Sequence, residues 1–169
     1  MGFDVGGVTL TSPGTTLSMD SGATNWMKVD ANGILTRPQT PFMRGQLTGR
    51  GSPYSAIPLL VTADVNVGGC WNNTTGTWTC PVAGYYMVTG GNIMGSASSY
   101  GYFYIQKNGT DVIFTHWNHN ASWHYVTMSG IIQCAAGDTL RYVIKGQSPA
   151  SAGAYGVGGH CMYSIALMA

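Results

Sequence analysis

The stretch from Thr74 to Tyr86 reads TTGTWTCPVAGYY and carries the pattern on which the fold prediction rests. A β-branched and aromatic run, Thr77 to Cys80, precedes a second run that begins at Gly84 and continues to Ile93. Such residues fit a pleated, half-buried surface, and the Pro and Gly between the two runs are turn signals. The stretch therefore predicts two strands joined by a turn, with Gly84 relieving crowding where the second strand begins.

Similar runs recur along the chain, and turn signals separate nearly all of them. Charged residues make up 8% of the sequence, against a usual value of about 25%, and Glu is absent. Residues that hold exposed helix faces together are therefore scarce. We expect an all-β fold whose other main strands lie at residues 42–48, 57–63, 100–107, 111–117, 122–134, 139–145 and 159–167.

The dipeptide Asn108-Gly109 separates two aromatic runs, Tyr102–Ile105 and Val112–Phe114. Asn-Gly supplies the two positive φ angles of a type I′ turn. The sequence therefore predicts a hairpin here. A second turn is predicted at Gly137-Asp138, where glycine adopts a positive φ and the aspartate, which we interpret as structural, bonds to turn amides.

Two predicted strands carry large side chains on both faces. Alternation places Tyr102 and Tyr104 opposite Phe103 and Ile105, and the run at 84–93 behaves in the same way. Because a solvated outer sheet face does not ordinarily show this pattern, we expect one face to meet the core and the other to meet a second subunit. The candidate interface residues are Tyr85, Tyr86, Tyr102 and Tyr104.

The first forty residues form a separate predicted segment, an N-terminal arm. Its short Thr- and Val-containing pieces lie at residues 8–10, 15–19, 26–29 and 34–36. The proline-containing stretch 37–41 interrupts any strand, because proline lacks the ladder N–H and restricts the residue before it. We therefore divide the chain into an extended or hairpin-forming β arm at 1–40 and a globular head at 41–169.

The stretch 74–86 resembles the signature of complement component 1q globular heads, namely a turn, an aromatic strand, Pro-Val-x-Gly and an aromatic pair. The downstream order agrees, with an aromatic strand running into residues 107–109, a long apolar strand ending at 136–140 and a closing strand at 163–167. The resemblance covers residues 41–169. It implies a jelly-roll β-sandwich of about ten strands, like that of tumour necrosis factor, with three copies packed round an axis and loops at one end free for ligands.

Residues 27–38, continuing into Pro41-Phe42, resemble segments that precede such heads in tailed-phage virion proteins. This resemblance implies that the arm lays a strand onto an open sheet edge of a capsid or other virion protein. We expect a non-enzymatic, homotrimeric capsid decoration or short head fibre at the virion surface, assembled in the host cytoplasm. The alternative is a tail-fibre or receptor-binding head that recognises host-surface carbohydrate. Candidate attachment residues are Trp26, Val29, Ile34 and Leu35.

Residues 114–125 concentrate His, Trp and Asn, which stack on sugars or coordinate metals. The candidate ligand-binding residues are His116, Trp117, Asn118, His119, Trp123 and His124. The alternative is that the tryptophans cap the sandwich or fill the trimer interface, while the histidines sit in a wet loop. Because no carboxylate or thiol lies beside His116 and His119, no metal site is predicted.

Composition argues against several other classes of function. The six acidic residues are dispersed aspartates, and residues 146–150 lack the closing glycine of a serine elbow, so we expect no enzyme and no cofactor. A formal charge of +1 offers no basic stripe for nucleic acid. Residues 1–7 lack the features of a signal peptide and the longest apolar run, 56–61, is too short to span a bilayer, so neither secretion nor membrane insertion is expected.

The four cysteines, at positions 70, 80, 134 and 161, show no C-x-x-C spacing. Buried free thiols are one interpretation. The other is a disulfide between Cys70 and Cys80, facing each other across a hairpin, if the protein matures in an oxidising medium.

Overall fold

The computed structural model describes residues 3–5, 8–11, 17–21, 24–29, 32, 34–37, 39–47, 57–58, 60–95, 99–119, 123–146, 153–154 and 161–168. These residues form strands and turns, and they contain no helix that could cross a membrane. Contacts divide the chain into two compact units, Met1–Thr40 and Pro41–Ala169. The division falls within the proline-containing stretch 37–41.

The first unit is a five-stranded antiparallel sheet in which each strand pairs with its predecessor. The four predicted pieces of the arm each overlap one of its last four strands, although residues 15–16 lie outside the described residues and Ile34 precedes the final strand. The first strand was not predicted. Short runs separated by Gly, Asn and Asp favour this meander, because the chain turns back after every few residues. The strands are β1 (Phe3–Val5), β2 (Val8–Thr11), β3 (Leu17–Ser21), β4 (Thr24–Val29) and β5 (Leu35–Thr36).

The second unit, the head, is built from twelve described strands. They are β6 (Phe42–Leu47), β7 (Ile57–Pro58), β8 (Val61–Val67), β9 (Trp71–Asn72), β10 (Thr77–Thr79), β11 (Gly84–Gly95), β12 (Ser99–Lys107), β13 (Thr110–His119), β14 (Trp123–Cys134), β15 (Thr139–Gly146), β16 (Gly153–Ala154) and β17 (Met162–Met168).

The head strands form two antiparallel sheets. The β12 sheet has the order β13-β12-β15-β10-β9, with β7 added beside β15. The β11 sheet has the order β14-β11-β17-β6-β8, with β16 added beside β11. Each sheet path therefore holds five strands, and the predicted all-β sandwich of about ten strands is confirmed.

Aromatic side chains fill the space between the two sheets. Trp78, Tyr86, Phe103, Tyr142 and Tyr163 are each at most 1% exposed. The Tyr142 and Tyr163 rings meet edge to face at 4.9 Å, a favoured aromatic geometry. The alternation on β12 follows the prediction, since Phe103 is buried in this core.

The Tyr142 hydroxyl also ties the sheets together with polar contacts. From β15 in the β12 sheet it donates toward Thr89 O at 2.8 Å and Ser164 O at 2.7 Å, both in the β11 sheet. Burial raises the pKa of this hydroxyl well above its usual range, so it remains a donor at any physiological pH.

The two predicted turns are confirmed, and they contact each other. Asn108 and Gly109 have φ angles of 51° and 81°, and Gly137 has a φ of 87°. Asp138 accepts hydrogen bonds from Ala135 N at 2.8 Å and Asn108 Nδ2 at 2.7 Å. The Lys107 ammonium, 2.9 Å from Asp138 Oδ2, and these two donors lower the pKa of the carboxyl to about 2. The structural interpretation of Asp138 agrees with this geometry.

The predicted single strand at 57–63 is wrong. Ile57 and Pro58 pair with β15 in the β12 sheet, whereas Val61 begins β8 in the β11 sheet. The apolar run continues through both pieces, although the chain changes sheets between them. The short strand β9 was also not predicted. It contains a single large apolar residue, Trp71, and its second residue, Asn72, already begins a turn, because the Asn72 side chain accepts a hydrogen bond from Thr74 N at 2.8 Å.

All four cysteines are free thiols. Trp78 pairs with Trp71, and Thr79 N donates to Cys70 O at 2.9 Å, so Cys70 lies opposite Thr79. Cys70 and Cys80 lie just outside β9 and β10, and both contact the core cluster. The Cys70–Cys80 disulfide that the hairpin spacing had suggested is not formed.

Candidate functional site: two exposed surfaces of the head

The outward side of the β11 sheet carries an apolar strip, which we term the β11 face. Met87 lies between Ile131 of β14 and Ala166 of β17 in the sheet register. Tyr85 and Met168 pair with each other in the adjoining row. Ile131 is 57% exposed and Tyr85 is 55% exposed, so the strip is open to solvent in a single subunit.

A polar row bounds this strip. Thr89 Oγ1 and Ser164 Oγ are 2.8 Å apart, and Ser129 is paired with Thr89 across the β11–β14 ladder. Arg44 of β6 continues this row, since it pairs with Ser164, and it forms an ion pair with Asp64 of β8 at 2.8 Å. The apolar strip therefore has a defined edge, with hydroxyl groups and then charges next to it.

A groove of about 360 Å³ lies on the far side of the hydroxyl row. Gly91 allows the Tyr125 side chain to lie across β11, because a Cβ at position 91 would overlap the Tyr125 hydroxyl. The groove is lined by Thr89, Gly90, Gly91, Tyr125, Thr127, Met128, Ser129 and Met162.

The outward side of β12 and β13 carries a second exposed surface, the aromatic ladder, formed by Tyr102, Tyr104, Phe114 and His116. The two tyrosine rings stack at 5.6 Å with an interplanar angle of 27°. Phe114 lies 6.1 Å from Tyr104, and His116 lies 6.4 Å from Tyr102. Phe114 is 64% exposed, although it is surrounded by aromatic rings.

The predicted interface residues separate into different environments. Tyr85 lies on the β11 face, and Tyr102 and Tyr104 lie on the aromatic ladder. Tyr86 is fully buried and its hydroxyl donates to Val82 O at 2.7 Å, while burial raises its pKa to about 12. Tyr86 packs in the core of its own subunit, and its assignment to a subunit interface is corrected.

The predicted ligand-binding residues lie at the ends of two strands rather than in one loop. His116 belongs to the aromatic ladder, next to tyrosines that had been assigned to the interface. Trp117, Asn118 and His119 continue β13, while Trp123 and His124 begin β14. The side chains of these five residues lie outside the described part of the structure.

The predicted attachment residues lie on the last strands of the arm sheet and next to them. Ile34 and Leu35 are 57% and 48% exposed, and Val29 is half-buried. The backbone of Trp26 lies in β4, and its side chain is outside the described residues. Because β5 is an edge of the arm sheet, its outer main-chain groups face away from β4.

The described carboxylates of the head make structural contacts. Asp64 is held by Arg44, whose hydrogen bonds lower its pKa, and Asp111 accepts from Gln106 Nε2 at 2.8 Å. Asp138 is bound in the turn network. Among the described side chains, no group of three or more His, Cys, Asp or Glu is arranged to hold a metal ion.

No family model and no curated protein matches the sequence. Solved structures match the head. The globular domain of zebrafish complement 1qA superposes with a TM-score of 0.61 at 13% identity, covering 77% of this chain and 98% of that one. Murine APRIL at pH 5.0 superposes with a TM-score of 0.62 at 7% identity, covering 76% and 99% of the two chains.

The head has the complement 1q and tumour-necrosis-factor-like jelly-roll fold. The fold expected from the stretch 74–86 is thus confirmed. At these identities the likeness establishes the fold alone. The exposed surfaces of this complement 1q-like head must therefore be interpreted from their own chemistry.

Proposed function

We propose that the head associates into a homotrimer through the β11 face. The observation that carries this proposal is the solvent-exposed row of Ile131, Met87 and Ala166, continued by Tyr85 and Met168. Contiguous apolar patches on soluble proteins mark interaction sites, because covering them removes apolar surface from water. The resemblance to complement 1q heads implies three copies round one axis.

A ring requires two different contact surfaces on each copy. Phe114 and Val112 are exposed on β13, the edge strand of the other sheet, and they supply an apolar partner for the β11 face of the next copy. Contact between two unlike patches is heterologous, and repetition of such a contact closes a ring when the rotation allows it.

We further propose that the protein is a non-enzymatic structural component of a virion surface, attached by its arm. The exposed apolar side chains of Ile34 and Leu35 at the edge of the arm sheet support this role. An edge strand can extend the sheet of a capsid protein through main-chain hydrogen bonds, while apolar side chains give the contact its specificity. The resemblance to tailed-phage proteins rests on residues 27–42 of the sequence.

The attachment is tested in the full chain with the double substitution Ile34→Asp and Leu35→Asp. Light scattering should give the trimer mass, and binding to undecorated capsids should be lost. Val82→Asp is the matched control, since Val82 is an exposed apolar residue of the head outside both surfaces. Full capsid binding by the double variant would assign attachment to another part of the chain.

A second candidate function is recognition of host-surface carbohydrate by a tail-located trimer, and the aromatic ladder favours it. Sugar rings stack on exposed aromatic faces, and the tyrosine hydroxyls and the imidazole of His116 provide hydrogen-bonding groups beside them. Phe114→Ala should then abolish binding to host cells and leave the trimer mass unchanged. Loss of the trimer in the same variant would place Phe114 in the subunit contact instead.

A further inference from the structure

Two cysteine thiols from opposite sheets meet at one end of the head. Cys80 directly follows β10 of the β12 sheet, and Cys134 is the last residue of β14 in the β11 sheet. They are 1% and 4% exposed, and they lie in the same core cluster, in which their side chains interact with each other. Spacing along the sequence gives no indication of this pair, because 54 positions separate the two residues.

The backbone holds the two thiols in place. Cys80 N donates to Asp138 O at 2.8 Å, and Gly137 N donates to Cys80 O at 2.8 Å. The turn that follows Cys134 is thus hydrogen-bonded to both the N–H and the C=O group of Cys80. Lys107 and Asn108 in turn bind the Asp138 carboxylate, so the contacts of this turn hold the backbone around both cysteines in place.

Cys134 is buried, but it lies at the wall of a surface depression of about 340 Å³, together with Ala83, Lys107, Gln133 and Ala135. The Lys107 ammonium donates to Gln133 O at 2.9 Å at the same place. A small anionic reagent entering this depression would therefore meet a cation next to Cys134.

The surroundings distinguish the two thiols. Burial raises the pKa of Cys134, but the hydrogen bond from Cys80 and the charge of Lys107 oppose that rise. Burial, followed by the contact with Cys134, raises the pKa of Cys80 to about 12. Cys134, and not Cys80, lines the depression beside Lys107, so we assign the first attack to Cys134; the thiolate is the form that attacks a disulfide.

We propose that Cys80 and Cys134 are an oxidisable pair, which a low-molecular-weight disulfide such as oxidised glutathione converts into a disulfide bond joining the two sheets. The Cys134 thiolate attacks one glutathione sulfur, forming a mixed disulfide and releasing one glutathione thiolate. The Cys80 thiol then loses its proton and displaces the second glutathione from Cys134. The protein loses two hydrogen atoms, and one oxidised glutathione becomes two reduced molecules.

The test treats the reduced, folded full chain with oxidised glutathione and measures intact mass and non-reducing peptide maps. We expect the loss of two hydrogen atoms, a Cys80–Cys134 cross-link and a rise in Tm of roughly 5–10 °C, because the bond closes a long loop of the unfolded chain. Cys70→Ser and Cys161→Ser are matched controls that should behave as the wild type does.

The single variants establish the order of the steps. Cys80→Ser should stop at a glutathione adduct on Cys134, whereas Cys134→Ser should remain unmodified at position 80. A wild-type peptide map in which the cross-link contains Cys70 or Cys161 in place of Cys80 or Cys134 would overturn the proposal. Folded wild-type protein that keeps all four thiols, under conditions in which the urea-unfolded chain is oxidised, would overturn it as well.

Discussion

The substitution Ile131→Lys tests the trimer contact directly. Full burial of an isoleucine side chain contributes about 1.5–3 kcal/mol, and 57% of Ile131 is still exposed in one subunit. Covering it in the trimer therefore contributes roughly 1–1.5 kcal/mol per copy, or about 3–5 kcal/mol for three copies. A buried ammonium adds a further cost, so the dissociation constant of the trimer should rise by at least about 100-fold.

The assay is light scattering across a dilution series of the wild type, Ile131→Lys and the control Val82→Lys. Val82 is exposed and apolar like Ile131, but it lies in the turn before β11 and outside the β11 face. We expect Ile131→Lys to be monomeric at concentrations at which the other two proteins are trimeric, with an unchanged circular dichroism spectrum. Equal dissociation of all three proteins would refute the assignment of the β11 face to the subunit contact.

Three further predictions concern the sandwich itself. Tyr142→Phe should lower the free energy of unfolding by about 1–2 kcal/mol in urea titrations, because two buried carbonyl groups lose their shared donor. Gly45→Ala should lower the free energy of unfolding by about 1–3 kcal/mol, because a Cβ at position 45 meets Thr62 O at 2.6 Å. Gly91→Ala should lower it less in the same titrations, because the Tyr125 hydroxyl that the new Cβ meets can move away. The pKa of Asp138 is lowered in the folded state. Its contribution to stability is therefore complete above the unfolded pKa of about 4 and is lost as the pH falls towards 2. The Tm measured from pH 5 to pH 2 should fall more steeply for the wild type than for Asp138→Asn.

Much of the fold could be predicted because its determinants are local. Alternating apolar residues mark the long strands, and Asn108-Gly109 specifies its turn through two positive φ angles that few other dipeptides adopt. The face of β11 that enters the core could not be predicted, because Tyr85 and Tyr86 are equally suited to burial. Tertiary packing decides between them, since the Tyr86 ring packs 6.2 Å from Trp78 and its hydroxyl reaches Val82 O.

The aromatic ladder depends on one irregularity that the sequence does not reveal. Counting back from the turn pair Lys107–Thr110 in a regular hairpin would place Tyr104 opposite Ile113. The observed register shifts between Ile105 and Gln106, so Tyr104 pairs with Phe114. Since side chains alternate along a strand, a shift of one residue exchanges the two faces of β13. The bulge therefore directs Ile113 toward Gly130 and the core, and it brings Phe114 and His116 beside the tyrosines of β12.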